Sequence, residues 1–328
     1  MSESRSLLKV NNVSNEYKGN GLDIFSKSQA QQVLHNVSFD IKENEFFGLV
    51  GESGCGKSTL GKSILGLIDF DGDITIDGEK RTTKNKKSLA RKVQAVFQDP
   101  LSALNPRKTI GFTLEEPLKI HKIGNRENRS NRVNEILELV GLDSSYRKRY
   151  PKELSGGQRQ RICIGAALML EPELIIADEA VSALDVSVGS QILNLLQDIH
   201  EKFSLSLLFI SHNLNVVYYL CDRIAVMYGG NIVELGTAQS IYETPLHPYT
   251  RLLLSAIPDI NSDEWKKDDE TFLTDRNNDE INQAGCCFYN KCPHASEKCL
   301  DSVPELIDLA YNGKEPHYVS CFLRNNNN

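Results

Sequence analysis

The chain has 328 residues, 40% of them hydrophobic and 25% charged, and a formal net charge of -7. This length suits one large α/β domain with an accessory segment, and the composition is typical of a soluble globular protein. The acidic balance argues against nucleic acid as a partner, because phosphate backbones attract basic surfaces.

No segment approaches the roughly 18–20 uninterrupted apolar residues that a membrane-spanning helix needs. The N-terminal sequence MSESRSLLKV lacks the apolar stretch of a signal peptide. We therefore expect a cytoplasmic protein, in which any membrane role depends on a partner. A basic run at residues 84–87 is interpreted as a solvated turn or helix face.

The N-terminal part alternates apolar and polar residues, which predicts strands over residues 8–13, 33–41 and 46–50. The polar stretch between the first two predicts a loop. This loop contains Tyr17, whose ring can stack on an adenine or pack at a strand end, and the sequence leaves both possibilities open.

The stretch FGLVGESGCGKSTL at residues 47–60 has the G-x4-G-K-S spacing of a phosphate-binding loop. Its glycines expose backbone N–H groups, and the helix predicted over residues 58–67 adds its positive end. Lys57 can reach the β- and γ-phosphates of a nucleotide, and the Ser58 hydroxyl can hold Mg²⁺. The sequence therefore predicts nucleotide binding, but this loop alone does not show which process the energy of nucleotide hydrolysis would drive.

After a predicted strand at residues 73–77 that ends in an Asp-Gly turn, a strand at 93–97 leads to Gln98. Ligands of open α/β sheets bind at the carboxyl ends of strands, so Gln98 is placed to orient a water or contact Mg²⁺. An ordinary turn residue is the alternative. Helical periodicity then predicts a mostly helical insert, with helices at 114–120, 129–140 and 158–170.

The sequence LSGGQ at residues 154–158 opens the last of these helices. Ser155 is expected to be its N-cap, and the glycines again expose backbone N–H groups at a helix N-terminus. The chain thus has a second anion site but one lysine-bearing loop. The second site either closes over the same nucleotide or serves a nucleotide held by another chain.

An apolar strand predicted at residues 174–177 ends in Asp178 and Glu179. Asp178 is placed to hold Mg²⁺, and Glu179 to accept a proton from an attacking water. The alternative is an acidic pair at a helix N-terminus. The chain then continues with a loop that contains Asp185, a predicted helix to about His200 and a predicted strand at 205–210. His212 follows this strand and is either a γ-phosphate contact or a structural residue.

These motifs in this order resemble the nucleotide-binding subunit of an ATP-binding cassette (ABC) transporter, over about residues 7–258. The resemblance implies an α/β fold: a RecA-like P-loop core with an antiparallel β subdomain and a helical insert at about 106–170. Residues 1–258 would form this domain, and 259–328 a small cysteine-rich extension with a disordered tail. It also implies that two subunits sandwich two ATP molecules, each phosphate loop facing the partner's LSGGQ.

Carried onto this sequence, the resemblance implies that Gln98 senses the γ-phosphate and Mg²⁺, that Glu179 is the general base and that His212 is the switch. Ser58, Gln98 and Asp178 would hold Mg²⁺. The residues implied in ATP binding are Tyr17, Gly51, Ser53, Gly54, Cys55, Gly56, Lys57, Ser58, Thr59, Gln98, Ser155, Gly156, Gly157, Gln158, Asp178 and Asp185.

The segments FQDPLSALNPR, SALDVS, MYGGNIVELG and PLHPYTRLLLSAIP are similar to the ATPases of oligopeptide and dipeptide importers. The segments LFISHNLNVV and VSALDVSV resemble more the second of the two ATPases that such systems often carry. This implies a homo- or heterodimer of ATPases at the cytoplasmic face, working with two permease subunits and, indirectly, an extracytoplasmic binding protein. Grooves near Gln98 and the helical insert would receive permease helices. Ala180 and Ala166 replace the usual Pro and Arg, but activity is still expected.

Five of the eight cysteines lie in the last 45 residues, where Cys286, Cys292, Cys299 and Cys321 have the spacing x5, x6, x21. In a reducing compartment this favours a metal over disulfides. A [4Fe–4S] cluster is favoured by the Pro after Cys292, by the irregular spacing and by the family resemblance; structural Zn²⁺ and no metal remain open. Cys287 is expected not to be a ligand.

Two other functions stay open on the sequence. One is a soluble ABC ATPase of DNA repair or translation, although such proteins usually carry two cassettes or a long coiled coil. The other is an ATPase regulated by metal or redox state through the cysteine-rich tail. The transported substrate cannot be predicted, since an ATPase subunit does not contact the cargo; peptides are favoured over nickel chelates or other solutes.

Overall fold

The computed structural model describes residues 5–17, 31–82, 84–256, 281–282, 284–310 and 315–324. The chain divides into two compact units. The first unit comprises Met1–Arg5, Lys42–Asn44 and Arg81–Phe209, and the second comprises Ser6–Ile41, Glu45–Lys80 and Ile210–Asn328.

The N-terminal part of the second unit contains an antiparallel sheet with the strand order β2-β1-β4-β5. The cross-strand pairs Leu8↔Ile76 and Val10↔Ile74 are buried, which gives this sheet one apolar face and explains the alternating sequence. The elements are β1 (Ser6–Tyr17), β2 (Gln31–Lys42), β3 (Phe46–Val50), α1 (Lys57–Leu65), β4 (Asp71–Ile76) and β5 (Glu79–Lys80).

The predicted Asp-Gly turn joins β4 to β5. Asp77 and Gly78 have φ angles of 49° and 75°. Positive φ at both central residues is what a two-residue hairpin of type I′ requires, and Asp-Gly is among the sequences that adopt it most readily. This part of the sequence prediction is confirmed.

The first unit contains parallel strands and the predicted helices. Here β7 lies between β8 and β6, and all residues of β7 and β8 are buried. The elements are α2 (Lys86–Lys92), β6 (Val93–Val96), α3 (Pro100–Ala103), α4 (Ile110–Ile120), α5 (Arg126–Leu139), α6 (Gly156–Leu168), β7 (Leu174–Asp178), α7 (Val186–Phe203) and β8 (Ser206–Ser211), with 3-10 turns at Ser144–Lys148 and Pro151–Glu153.

The helices α4, α5 and α6 begin two to four residues before their predicted starts, and side-chain caps give the reason. Thr109, Asn125 and Ser155 are the three N-caps, and each accepts a hydrogen bond from the backbone N–H three residues further on. Apolar periodicity reveals the buried face of a helix, whereas the cap decides where the helix starts.

The rest of the second unit adds the strands in the order β11-β12-β10-β9-β3, with β9 parallel to β3 and the other pairs antiparallel. The short strands β11 and β12 therefore attach the C-terminal segment to β10. The elements are α8 (Leu214–Leu220), β9 (Arg223–Tyr228), β10 (Asn231–Thr237), α9 (Ala238–Glu243), α10 (Pro248–Ser255), a 3-10 turn at Tyr289–Lys291, α11 (Glu297–Asp301), β11 (Ile307–Asp308) and β12 (Tyr318–Val319).

Within the described ranges, no helix combines the length and the apolar character needed to cross a membrane. The predicted disordered tail, the Asn-rich residues 325–328, lies outside the described residues.

Candidate active site

The predicted phosphate loop connects β3 to α1 in the second unit. Gly56 is the N-cap of α1 and has a φ of 108°, which residues with a Cβ rarely adopt. At Gly51 a Cβ would lie 2.1 Å from the carbonyl oxygen of Met227. Glycine is therefore sterically required at both ends of the G-x4-G spacing.

Lys57 is the first residue of α1 and is 4% exposed. Its ammonium group donates to the carbonyl oxygens of Gly51 and Glu52, both at 2.8 Å. The positive charge thus lies within the loop, beside the N-terminus of α1, where anions bind. The other predicted contacts of the loop are the exposed Ser53, Gly54 and Ser58, the half-buried Thr59 and the buried Cys55.

His212 follows β8, whose last two residues also belong to the second unit, and it is exposed. The turn around it is fixed on both sides by polar side chains: the Ser211 hydroxyl accepts from the Asn213 N–H at 3.0 Å, and the Asn213 side chain caps α8. Tyr17 is the last residue of β1, and its side chain lies outside the described part of the structure.

Gln98 and Asp178 lie at the same edge of the first unit. The parallel strands β6 and β7 are in register at Val96↔Ala177, so their carboxyl ends are neighbours. Asp178 is the last residue of β7 and is buried, whereas Gln98 lies two residues beyond β6 and is exposed. A carboxylate and an amide at this edge are oxygen donors suited to Mg²⁺.

Glu179 follows Asp178 and has a φ of 49°. Residues with a Cβ pay roughly 1 kcal/mol or more for this left-handed conformation, which is concentrated at functional sites. The turn is held by Ser182, whose N–H and hydroxyl both donate to the Glu179 carbonyl oxygen, at 3.1 and 3.0 Å. Ala180, where the family usually has Pro, is buried at 1% exposure.

The LSGGQ segment forms a capping box at the start of α6, which confirms the prediction for Ser155. The Ser155 hydroxyl accepts from the Gln158 N–H at 3.3 Å, and the Gln158 side chain accepts from the Ser155 N–H at 3.0 Å. A Cβ on Gly157 would lie 2.4 Å from a methyl group of Val188, so glycine lets α7 approach α6. Ser155 is exposed, and Gly156 is half-buried.

Asp185 is the N-cap of α7. Its carboxylate accepts from the Val188 N–H at 2.9 Å and from the Ser187 hydroxyl at 2.8 Å. These hydrogen bonds, that of Val188 first, lower the pKa of the Asp185 carboxyl. The family resemblance implied Asp185 in ATP binding, which stays a prediction; in the structure its carboxylate stabilises the start of α7.

The predicted residues are thus distributed over both units. The second unit carries the lysine-bearing loop and His212. The first unit carries Gln98, Asp178 and Glu179 at one strand edge, and the capped helix start at Ser155.

A groove of about 580 Å³ in the first unit is lined mainly by charged side chains of α2 and of the segments after α4 and α6. Burial and the charges of Lys87 and Arg91 lower the pKa of His121, which lines the groove. A smaller cavity of about 190 Å³ shares Arg91, Leu170 and Glu171 with it. The lining residues of the larger groove are Lys87, Ser88, Arg91, Lys92, His121, Leu170, Glu171 and Glu173.

The cysteines Cys286, Cys292, Cys299 and Cys321 are all buried, each at most 9% exposed, while Cys287 is half-buried. Burial, together with the nearby thiols of the other three cysteines, raises the pKa of Cys292 to about 12. The Cys287 thiol, and after it the His247 side chain, lower the pKa of Cys286. Among the described residues, no group of three or more His, Cys, Asp or Glu side chains is placed to hold a metal ion.

Two features of the second unit were missed by sequence reasoning. Tyr249 is fully buried, and its hydroxyl accepts a hydrogen bond from the Glu52 N–H of the phosphate loop at 2.9 Å. Glu234 is also fully buried and accepts from His317 and from two backbone N–H groups. Tyr249 lies in the PLHPYT segment, where the sequence signalled a family likeness but no role.

The family model described as ABC transporter matches residues 34–182. A second, described as the C-terminal region of oligopeptide/dipeptide transporters, matches residues 233–299. Among solved structures, the dimeric bacterial ABC transporter cassette MJ0796 has a TM-score of 0.62 at 30% identity, covering 70% of this chain and 98% of that one.

Three relatives match over nearly the whole chain. A putative peptide import ATP-binding protein of Brucella ovis is 42% identical over 97% of this chain and 98% of its own. The oligopeptide transport ATP-binding protein AppF of Bacillus subtilis is 43% identical over 89% of both chains. The di/tripeptide transport ATP-binding protein DppF of Pseudomonas aeruginosa is 44% identical over 90% of this chain and 93% of its own.

Proposed function

The chain belongs to the ABC transporter family, in the group of peptide import ATP-binding proteins, and from this premise we propose how its residues perform ATP hydrolysis and which partners it needs. It is an ATPase that powers peptide import. The observation that carries the assignment of residues is the presence, in one chain, of a lysine-bearing loop and of a separate capped helix start at LSGGQ.

In this proposal the phosphate loop binds the nucleotide. The Lys57 ammonium, held by the carbonyl oxygens of Gly51 and Glu52, directs its remaining N–H at the β- and γ-phosphates, and the N-terminal N–H groups of α1 bind phosphate oxygens. Ser58, Gln98 and Asp178 would hold Mg²⁺, which would neutralise charge on the transferred phosphoryl group.

Glu179 is the general base that takes a proton from the attacking water, and His212 contacts the γ-phosphate. The left-handed backbone of Glu179 supports this role, because such strain persists where the surroundings fix a side chain in one position. The signature residues Ser155, Gly156 and Gly157 complete the site of a second cassette, whose own signature completes this one.

Glu179→Gln tests the assignment. The amide cannot accept the proton, so turnover falls by roughly 10²–10⁴-fold, the usual contribution of a general base, while ATP binding is retained. The measurement is steady-state phosphate release together with equilibrium binding of ATP. Glu201→Gln, an exposed carboxylate on α7, is the matched control and keeps its activity. Undiminished hydrolysis by Glu179→Gln would refute the role of Glu179.

The partners are a second ABC ATPase subunit, identical or closely related, and two permease subunits of the membrane, with an extracytoplasmic binding protein delivering the peptide. The charged groove between α2 and the segments after α4 and α6 supports docking of a permease helix at the cytoplasmic face. Its excess of Lys and Arg over Glu favours an acidic contact on that helix. The relatives, named for peptide transport, give no support to a role in DNA repair or translation.

The cysteine-rich segment is proposed to hold a [4Fe–4S] cluster on Cys286, Cys292, Cys299 and Cys321. Their burial, and the hydrogen bond from the Cys286 N–H to the Cys299 carbonyl oxygen at 2.8 Å, support a shared site. Structural Zn²⁺ is the alternative, because four thiolates also suit that ion. A bound cluster would stabilise a segment that has few apolar residues of its own.

Iron and acid-labile sulfide in anaerobically purified protein test the cluster. About four irons per chain are expected. Cys292→Ser removes them, whereas Cys287→Ser, the matched control, retains them. One zinc per chain and no iron would contradict the cluster.

A further inference from the structure

One peptide group of the phosphate loop is held from both sides. The carbonyl oxygen of Gly51 accepts from the Lys57 ammonium at 2.8 Å. The N–H of Glu52 donates to the Tyr249 hydroxyl at 2.9 Å. Because the Gly51 carbonyl and the Glu52 N–H belong to the same planar unit, these two hydrogen bonds together fix its orientation.

Tyr249 is itself held rigidly. It lies in the first turn of α10, it is fully buried, and its N–H donates to the ring nitrogen Nδ1 of His247 at 3.0 Å. Its ring packs against those of Tyr228 and Phe288, with centroid distances of 4.6 and 5.5 Å. Burial raises the pKa of the hydroxyl, so the group stays neutral, and its oxygen accepts from the Glu52 N–H.

The cysteine-bearing segment supplies one wall of this aromatic cluster. Phe288 lies two residues after Cys286, is 1% exposed, and contacts the rings of Tyr228, His247 and Tyr249 at 5.1, 5.8 and 5.5 Å between centroids. The segment thus touches the residues that hold the phosphate loop, all within the second unit.

We propose that Tyr249 is a positioning residue of the phosphate loop: its hydroxyl orients the Gly51–Glu52 peptide, this peptide holds Lys57 in place, and Phe288 of the cysteine-bearing segment keeps the Tyr249 ring in position. The inference rests on the proposed assignment of this loop as the ATP site. A loop without the hydroxyl samples other peptide orientations. The apparent Kd for ATP then rises in inverse proportion to the fraction of molecules whose loop is in the conformation that binds ATP.

Tyr249→Phe tests the first step, since it removes the hydroxyl and keeps the ring. The Kd and KM for ATP are expected to rise about fivefold, the factor that one hydrogen bond of ordinary net strength supplies. The kcat is expected to stay within about twofold, because the groups proposed for Mg²⁺ and for the proton are untouched. Tyr218→Phe, on a ring that stacks on Tyr242 at 4.0 Å, is the matched control and leaves the Kd unchanged.

Phe288→Leu tests the second step in a double-mutant cycle. If Phe288 acts through the Tyr249 hydroxyl, Phe288→Leu raises the Kd in the wild-type background and has no further effect on Tyr249→Phe. Full additivity of the two effects overturns the link to the cysteine-bearing segment. Tyr249→Phe with a lowered Tm and an unchanged Kd overturns the positioning role. Failure of the wild-type chain itself to bind ATP would refute instead the assignment of the loop.

Discussion

Ser155 is assigned two roles, and a substitution of this one residue can separate them. Its hydroxyl caps α6 by accepting from the Gln158 N–H, and the same exposed side chain is proposed to face the γ-phosphate of a second cassette. Capping requires only a short acceptor, which Asp supplies as well as Ser. Binding a phosphate excludes a second negative charge, because like charges a few ångströms apart repel strongly at the surface of a protein.

Ser155→Asp is therefore expected to keep the Tm of the chain while lowering ATP turnover at least about tenfold. Asn125→Asp, which changes the N-cap of α5 in the same way, is the matched control and should alter neither quantity. Thermal unfolding and phosphate release measure the two properties. Normal turnover in Ser155→Asp would show that Ser155 only caps its helix.

Much of the residue-scale site could be predicted because the chemistry of phosphate binding dictates local sequence. Gly51, Gly56 and Lys57 are a few residues apart in the chain, and steric and electrostatic requirements fix their identities. Tyr249 could not be predicted in the same way. It is 197 residues from Glu52, and only the fold brings its hydroxyl to the loop.

At the scale of elements, the C-terminal segment is joined to the second unit by a buried carboxylate. Glu234 in the middle of β10 is fully buried and accepts from the backbone N–H groups of Leu246 and His247, at 2.8 and 2.9 Å, and from the His317 ring at 2.7 Å. His317 directly precedes β12, which pairs with β10 at Glu234↔Val319. This one side chain thus connects β10, the start of α10 and β12.

Glu234→Ala is expected to lower the free energy of unfolding by about 2–4 kcal/mol, because it leaves buried donors without an acceptor. Urea denaturation of the full chain measures the effect. Glu243→Ala, an exposed carboxylate on α9, is the matched control and should cost less than about 0.5 kcal/mol. A loss in Glu234→Ala as small as that of the control would mean that water replaces the carboxylate.

The elements themselves were largely predictable. The strands β1, β2, β3, β4, β6, β7 and β8 overlap those expected from alternation or apolar runs, and the Asp-Gly turn has the expected conformation. The attachment of β12 to β10 could not be predicted, because the hydrogen bond between Glu234 and His317 spans 83 residues and a two-residue strand has no periodicity to detect. The helix α2 appeared in the sequence only as a basic run.

At the scale of the whole molecule, ATP is proposed to bind between two cassettes. Each chain supplies a lysine-bearing loop from its second unit and a capped LSGGQ helix from its first unit, and each nucleotide needs the loop of one chain and the helix of another. The relationship to a solved dimeric ABC cassette agrees with this arrangement. A single chain would then bind ATP but hydrolyse it poorly.

The most direct test is the structure of the assembled transporter carrying Glu179→Gln, determined with ATP and Mg²⁺. The Ser155 hydroxyl of this chain is expected to lie about 3 Å from a γ-phosphate oxygen of the nucleotide bound to the partner's phosphate loop. A structure with both nucleotides bound, in which residues 154–158 stay far from each of them, would contradict it.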